Sequence, residues 1–191
     1  MSEPVTTKAP GRRRMYLLVR MLCEGGLMIA LALVLGLLKV FELPQGGSIS
    51  LEMLPLLFFC VRWGMGGGFI ACFAFGVLQV FIQGAVSWGW QSILLDYVLA
   101  FSFLGLACVF AKPFKNKLVG VAVGSAAVCV LRFLCSFLSG VLIWGNLSDG
   151  LPAWIYSLTY NGSYMLPEGI MTTIAVVLLY KAAPQLFSAN N

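Results

Sequence analysis

A carboxylate and several aromatic rings occur inside or beside long apolar runs of this chain. Asp96 lies in the run SILLDYVLAF, followed directly by Tyr97. A carboxylate supplies charge to an organic cation, and ring faces add cation–π attraction of ~2 kcal/mol when desolvated. Asn161 lies in PAWIYSLTYNGSYM, a stretch that also carries Trp154 and Tyr156. Because an amide both donates and accepts hydrogen bonds, it suits the edge of a heterocycle. These residue types indicate an outward-facing pocket for a small cationic aromatic ligand.

A second set of polar residues follows one face of a later apolar run. Arg132 is followed by Ser136, Gly140 and Trp144 at steps of four, which gives a broad stripe along a helix. A charge near the bilayer centre costs at least ~2.5–3.5 kcal/mol, so Arg132 needs a partner or a cavity. The partner is Glu24 or Glu168, and the sequence leaves that choice open.

The rings have a simpler interpretation that also stays open. Aromatic side chains concentrate where membrane helices meet water, whatever else the protein does. The rings near outer helix ends are Trp88, Trp90, Trp144, Trp154 and Tyr156.

The composition defines the elements that must position these residues. The 191 residues are 60% hydrophobic and only 10% charged, against about 25% charged in soluble domains. The runs are apolar on every face, unlike the alternating strands of a β-barrel. We therefore predict an all-α membrane protein, a bundle of six transmembrane helices. Residues 1–191 form one integral membrane domain, with 1–14 as a basic cytoplasmic tail. The six segments are about 15–41, 51–61, 66–83, 91–111, 118–144 and 153–180.

Lysine and arginine predict the orientation of the bundle. They cluster before the first segment, after the second, after the fourth and after the sixth. The positive-inside rule then places both the N- and the C-terminus in the cytoplasm. Orientation thus explains the net charge of +5, and no nucleic-acid partner is expected.

Other function classes lack their motifs. The chain has no GxxxxGK[ST] sequence for ATP, no histidine for a serine–histidine dyad or zinc site, and no CxxC pair among its six cysteines. No cofactor or metal is expected. A membrane-embedded enzyme using Asp96, Arg132 and Glu168 remains a weak alternative, and a purely structural membrane subunit is another.

Small residues four apart favour close helix contacts. Gly26 and Ala30 form one such pair, and Gly120 and Gly124 form another. Either pair packs within this protein or receives a partner chain.

Four stretches together resemble a known family. They are LPQGGSISLEMLPLLFFCVRWG, LLDYVLAF, RFLCSFLSGVLIWG and PAWIYSLTYNGSYMLP. The chain resembles the thiamine-specific substrate-binding subunit, or S component, of energy-coupling-factor vitamin transporters. The resemblance implies a six-helix, multi-pass protein of the bacterial cell membrane that captures thiamine and performs no catalysis. It also implies three partner chains, a transmembrane coupling protein and two ATPases.

The resemblance implies a role for individual positions. Those expected to bind substrate are Asp96, Tyr97, Ser136, Gly140, Trp144, Tyr156 and Asn161. Gly26 and Ala30 are expected to face the coupling protein. The chain departs from the family at one residue and in one loop. Ser136 stands where members can have histidine, and the first outer loop, LPQGGSIS, lacks a ring. Alternative ligands are therefore thiamine phosphates, the pyrimidine half or another small vitamin, with anionic vitamins disfavoured by the scarcity of outer basic residues.

Overall fold

Five long helices dominate the protein, which we describe from a computed structural model over residues 10–43, 47–85, 89–143 and 150–189. Each is long and apolar enough to cross a membrane. They are α1 (Pro10–Leu37), α2 (Met53–Ile82), α3 (Trp90–Ala111), α4 (Lys117–Leu142) and α5 (Ala153–Ala182). The prediction of an apolar helical membrane protein is confirmed.

The helix α2 reverses direction at Gly64. This residue has φ 77° and ψ −172°, a conformation that glycine adopts without steric cost. The Sγ atoms of Cys60 and Cys72 lie 3.5 Å apart, although a straight helix would separate two residues twelve positions apart by about 18 Å. The two arms of α2 therefore run side by side. They correspond to the predicted segments 51–61 and 66–83, while the count of six crossing helices and the side of each terminus stay predictions.

A short hairpin links α1 to α2. Strand β1 (Phe41–Glu42) pairs antiparallel with β2 (Ser48–Ile49), a small addition to the all-α prediction. The backbone N–H of Gly47 donates a 3.1 Å hydrogen bond to the Tyr160 hydroxyl on α5. The hairpin is thereby fastened to the helix that carries the stretch PAWIYSLTYNGSYM.

Glycines bring the later helices close together. A Cβ on Gly120 would lie 2.7 Å from the carbonyl oxygen of Ala111, and one on Gly124 would collide with that of Ala107. This pair of small residues therefore packs α4 against α3 within the protein. The apolar centre of the bundle includes Phe75.

A polar cluster joins α1, the bend of α2 and the C-terminal turn Pro184–Phe187. The Glu24 carboxylate accepts hydrogen bonds from Arg62 Nε at 2.7 Å and from Trp63 Nε1 at 2.6 Å. Arg62 also donates to the carbonyl oxygen of Ser188 at 2.8 Å. Glu24 is therefore occupied here, and the alternative that it pairs with Arg132 is wrong.

Candidate functional site

A polar cavity lies between α2, α3, α4, α5 and the hairpin. Its volume is about 110 Å³, well above the ~10–15 Å³ that a single water centre occupies. Six of the predicted substrate-binding residues line it, which are Asp96, Tyr97, Ser136, Gly140, Tyr156 and Asn161. The seventh, Trp144, lies outside the described residues.

Asp96 is presented by an irregular stretch of α3. Residues Ile93–Leu99 form π-helical turns. Such turns are rare in proteins, and those that occur are often found at functional sites. Asp96 Oδ2 accepts a 2.8 Å hydrogen bond from the Ser92 hydroxyl and a short one from Ser139 on α4. Tyr97, its neighbour, also lines the cavity. The two serines orient the carboxylate at the cavity wall, and the Ser136 hydroxyl also faces it.

Asn161 has most of its hydrogen-bonding capacity filled by the protein. Its Nδ2 donates to the carbonyl oxygens of Ser136 at 3.2 Å and Ser157 at 3.1 Å. Its Oδ1 accepts from the Tyr164 hydroxyl at 2.9 Å. A carbonyl oxygen has two lone pairs, so one acceptor position remains. Among the described contacts, Asn161 can therefore offer a ligand an acceptor more readily than a donor.

Gly140 allows α4 to approach α5 beside the cavity. A Cβ at this position would collide with Ser157 Oγ and would lie 3.1 Å from Asn161 Nδ2. Ser136, one turn earlier, is 6% exposed and lines the cavity, and its carbonyl oxygen accepts from Asn161 Nδ2. The glycine is required for the packing that positions the amide.

Three tyrosines on successive turns of α5 form one wall of the cavity. The rings of Tyr156 and Tyr160 stack with centroids 5.9 Å apart, and those of Tyr160 and Tyr164 meet edge to face at 5.8 Å. By contrast, Trp154 is 55% exposed, as an interfacial ring would be. The stretch PAWIYSLTYNGSYM thus divides between the cavity wall and the surface.

A buried ion-pair network also borders the cavity, since Arg132 and Glu52 belong to its lining. Arg132 donates to Glu168 at 2.8 Å and to Glu52 at 3.2 Å, and its guanidinium lies 4.6 Å from the centroid of the Phe101 ring. Of the two partners that the sequence left open for Arg132, Glu168 is the one that it contacts. With Asp96, three carboxylates face one guanidinium, so the formal charge around the cavity is negative. Such an environment favours a cation.

Sequence reasoning missed several residues of the site. Glu52 and Gln79 line the cavity, and Gln79 Nε2 donates to Glu52 Oε2 at 2.8 Å. Ser139, which is fully buried, was also missed although it contacts Asp96. The usable signal was a lone amide in the apolar run GVLQVF and a carboxylate opening the run LEMLPLLFF. Among the described residues, no three Cys, Asp or Glu side chains come together as metal ligands.

A second hollow lies on the outer surface between α4 and α5. Its volume is about 530 Å³, and its lining includes the exposed apolar residues Val130, Leu166 and Ile170. The lining contains no charged residue. This hollow therefore has no carboxylate to pair with a cation.

The predicted interface residues of α1 face away from the bundle. Gly26 and Ala30 are exposed, and a Cβ on Gly26 would meet no atom within 4 Å. The neighbouring Gly25 is buried instead, and its Cβ would lie 3.1 Å from Phe59. This face of α1 is therefore uncovered in the isolated chain.

Comparisons with known proteins agree on one group. Residues 22–188 match the family model described as thiamine transporter protein. The chain is 33% identical over 185 residues to the thiamine transporter ThiT of Bacillus subtilis, covering 91% of this chain and 96% of that one. It is 26% identical to ThiT of Lacticaseibacillus paracasei over 75% of this chain and 78% of the other. The fold is similar to the solved structure of ThiT from Listeria monocytogenes, with a TM-score of 0.78, 26% identity and coverage of 89% and 98% of the two chains.

Proposed function

Because this chain belongs to the thiamine transporter protein family, we propose that it captures thiamine in the cavity around Asp96 as the S component of an energy-coupling-factor importer. The chain is a multi-pass cell membrane protein, and its function is transport rather than catalysis. Binding by this cavity and coupling to an ATP-driven module are the parts that we propose.

One observation carries the binding proposal. The Asp96 carboxylate, oriented by two serine hydroxyls, lines the same cavity as Tyr97 and Tyr156. Thiamine combines a cationic thiazolium with an aminopyrimidine, so a carboxylate beside aromatic rings suits both its charge and its ring faces. The neighbouring Asn161 adds a hydrogen-bond acceptor for the heterocycle edge.

Two structural features support the proposed architecture. The reversal of α2 at Gly64 gives an even number of helical segments, which supports the six-helix count with both termini in the cytoplasm. The uncovered face of α1 at Gly26 and Ala30 supports docking of a transmembrane coupling protein, which would recruit two ATPase subunits. Energy for uptake would then come from those subunits.

Binding is tested by calorimetric titration of the purified protein with thiamine. We expect saturable binding of one thiamine per chain, displaced only weakly by the isolated pyrimidine or by an anionic vitamin. A folded sample that does not bind thiamine but binds another small vitamin would overturn the ligand assignment. Chemical conversion of the ligand by the purified chain would instead favour the membrane-embedded enzyme.

Coupling is tested separately from binding. The chain is reconstituted into vesicles with and without a coupling protein and its two ATPases. We expect ATP-dependent thiamine accumulation only in the complete set. Equal uptake by the chain alone would contradict the S-component proposal and leave thiamine binding untouched.

A further inference from the structure

Gln79 on α2 lines the cavity with one half of its amide unpaired. The side chain is 3% exposed, and its Nε2 donates to Glu52 Oε2 at 2.8 Å. Its Oε1 is buried and has no hydrogen-bond partner among the residues that the structure describes. A buried acceptor without a partner is costly, and most such atoms in folded proteins are satisfied. The position therefore calls for a donor.

The orientation of this amide is set by its neighbour. Exchanging the oxygen and nitrogen would place Oε1 against the Glu52 carboxylate, and two acceptors cannot share a hydrogen bond. Glu52 is itself held by Arg132 at 3.2 Å. On α1, Gly36 leaves room for it, since a Cβ there would lie 2.8 Å from Glu52 Oε2. The contact with Glu52 thus fixes which end of the Gln79 amide is left unpaired.

We propose that Gln79 Oε1 accepts a hydrogen bond from the hydroxyl group of bound thiamine, an inference that rests on the proposed function. Gln79 would thereby select ligands that carry this free hydroxyl group. Thiamine has two neutral donor groups, the pyrimidine amino group and the hydroxyl of the hydroxyethyl arm. The pyrimidine amino group suits the acceptor of Asn161 on α5, while the thiazolium charge suits the carboxylate of Asp96 on α3. Gln79 lies on α2, on a different wall of the cavity, where its amide nitrogen is bonded to Glu52. Its free oxygen therefore pairs with the remaining donor of thiamine, the hydroxyl group.

The inference is tested by a cycle of two ligands and two proteins. The ligands are thiamine and the deoxy analogue in which hydrogen replaces the hydroxyl, and the proteins are the wild type and Gln79→Met. Calorimetry gives each dissociation constant. For the wild type we expect the deoxy analogue to bind about tenfold more weakly, because it leaves a buried acceptor unpaired. In Gln79→Met the two ligands should bind within about twofold of each other, since no acceptor remains.

Gln83 provides a matched control. It is the second glutamine that lines the cavity, it follows directly after the last residue of α2, and it is half-buried. Gln83→Met should retain the tenfold preference for thiamine. If Gln79→Met fails to fold, as judged by its melting transition, Gln79→Asn takes its place, because the shorter amide withdraws the acceptor and should also lose the preference.

The outcomes separate this inference from the proposed function. Tight thiamine binding with no preference over the deoxy analogue in the wild type would overturn the role of Gln79 and leave the function standing. A full preference retained in Gln79→Met would do the same, and would assign the hydroxyl to another group. A wild type that binds neither ligand would overturn both proposals.

Discussion

Arg132 on α4 donates a 2.8 Å hydrogen bond to Glu168 on α5, and both side chains are almost completely buried. The same guanidinium reaches Glu52 beside the first arm of α2, so one cation holds two carboxylates from two different elements. A cation binding in the adjacent cavity therefore meets a wall in which the negative charges are already ordered. This arrangement links the stability of the bundle to the shape of the site.

Loss of the Arg132 charge should destabilise the protein strongly. In Arg132→Met, two buried carboxylates lose their counter-ion, and breaking a buried pair in this way costs about 3–5 kcal/mol. We expect a melting temperature in detergent several degrees lower than that of the wild type. Arg14→Met is the control, because Arg14 is exposed near the start of α1. Equal melting temperatures for the two variants would contradict a structural role for the network.

Asp96→Asn should weaken thiamine binding while the protein stays folded. The Asn side chain keeps an oxygen that accepts from Ser92 and Ser139, but it removes the charge that attracts the thiazolium. Charged hydrogen bonds contribute about 1.5–3 kcal/mol, so the dissociation constant should rise about 10- to 100-fold. Calorimetry measures it, and a melting curve verifies folding.

The control for this variant removes a carboxylate elsewhere. Glu42 is exposed on β1 and pairs with Lys39 at 2.6 Å. Glu42→Gln should leave thiamine affinity within about twofold, because exposed pairs contribute little. An unchanged affinity in Asp96→Asn would remove Asp96 from the site.

Sequence patterns correctly predicted the helices and the residues on one side of the cavity. Long apolar runs marked each span, and Asp96 and Asn161 stood out because polar groups are costly in a bilayer. The sequence also favoured Glu24 and Glu168 equally as partners of Arg132. Only the fold decides between them, since it brings Glu24 to Arg62 instead.

The sequence did not predict Glu52, Gln79 and Ser139 as site residues, because contacts between distant parts of the chain bring them to the cavity. Gln79 and Glu52 are 27 positions apart, and they meet because α2 reverses at Gly64. No helical period relates two residues across such a reversal. Ser139 looked like an ordinary small residue until the approach of α3 to α4 placed it on Asp96.

Gly140→Ala should damage both the packing and the site. The added methyl group would collide with Ser157 and press on Asn161, so α4 and α5 would have to separate. Overpacking of this kind costs about 1–3 kcal/mol. We expect a lower melting temperature and at least a severalfold weaker affinity for thiamine.

Gly162→Ala is the matched control on α5. A Cβ there meets no atom within 4 Å, and alanine favours a helix over glycine by about 0.5–1 kcal/mol. This variant should be as stable as the wild type or slightly more stable. Similar losses in both variants would show that the close approach at Gly140 is not the cause.

Substitution on the uncovered face of α1 should separate binding from transport. In Gly26→Leu the new Cβ meets no atom of the described residues within 4 Å, so folding and thiamine affinity should match the wild type. Close helix approach at a small residue is lost, so association with the coupling protein should fail. ATP-dependent uptake in vesicles should then fall to the level of the chain without its partners.

The adjacent Gly25→Leu gives the opposite pattern, because its side chain would press on Phe59 and lower the melting temperature. Normal uptake by Gly26→Leu would move the coupling interface to another face.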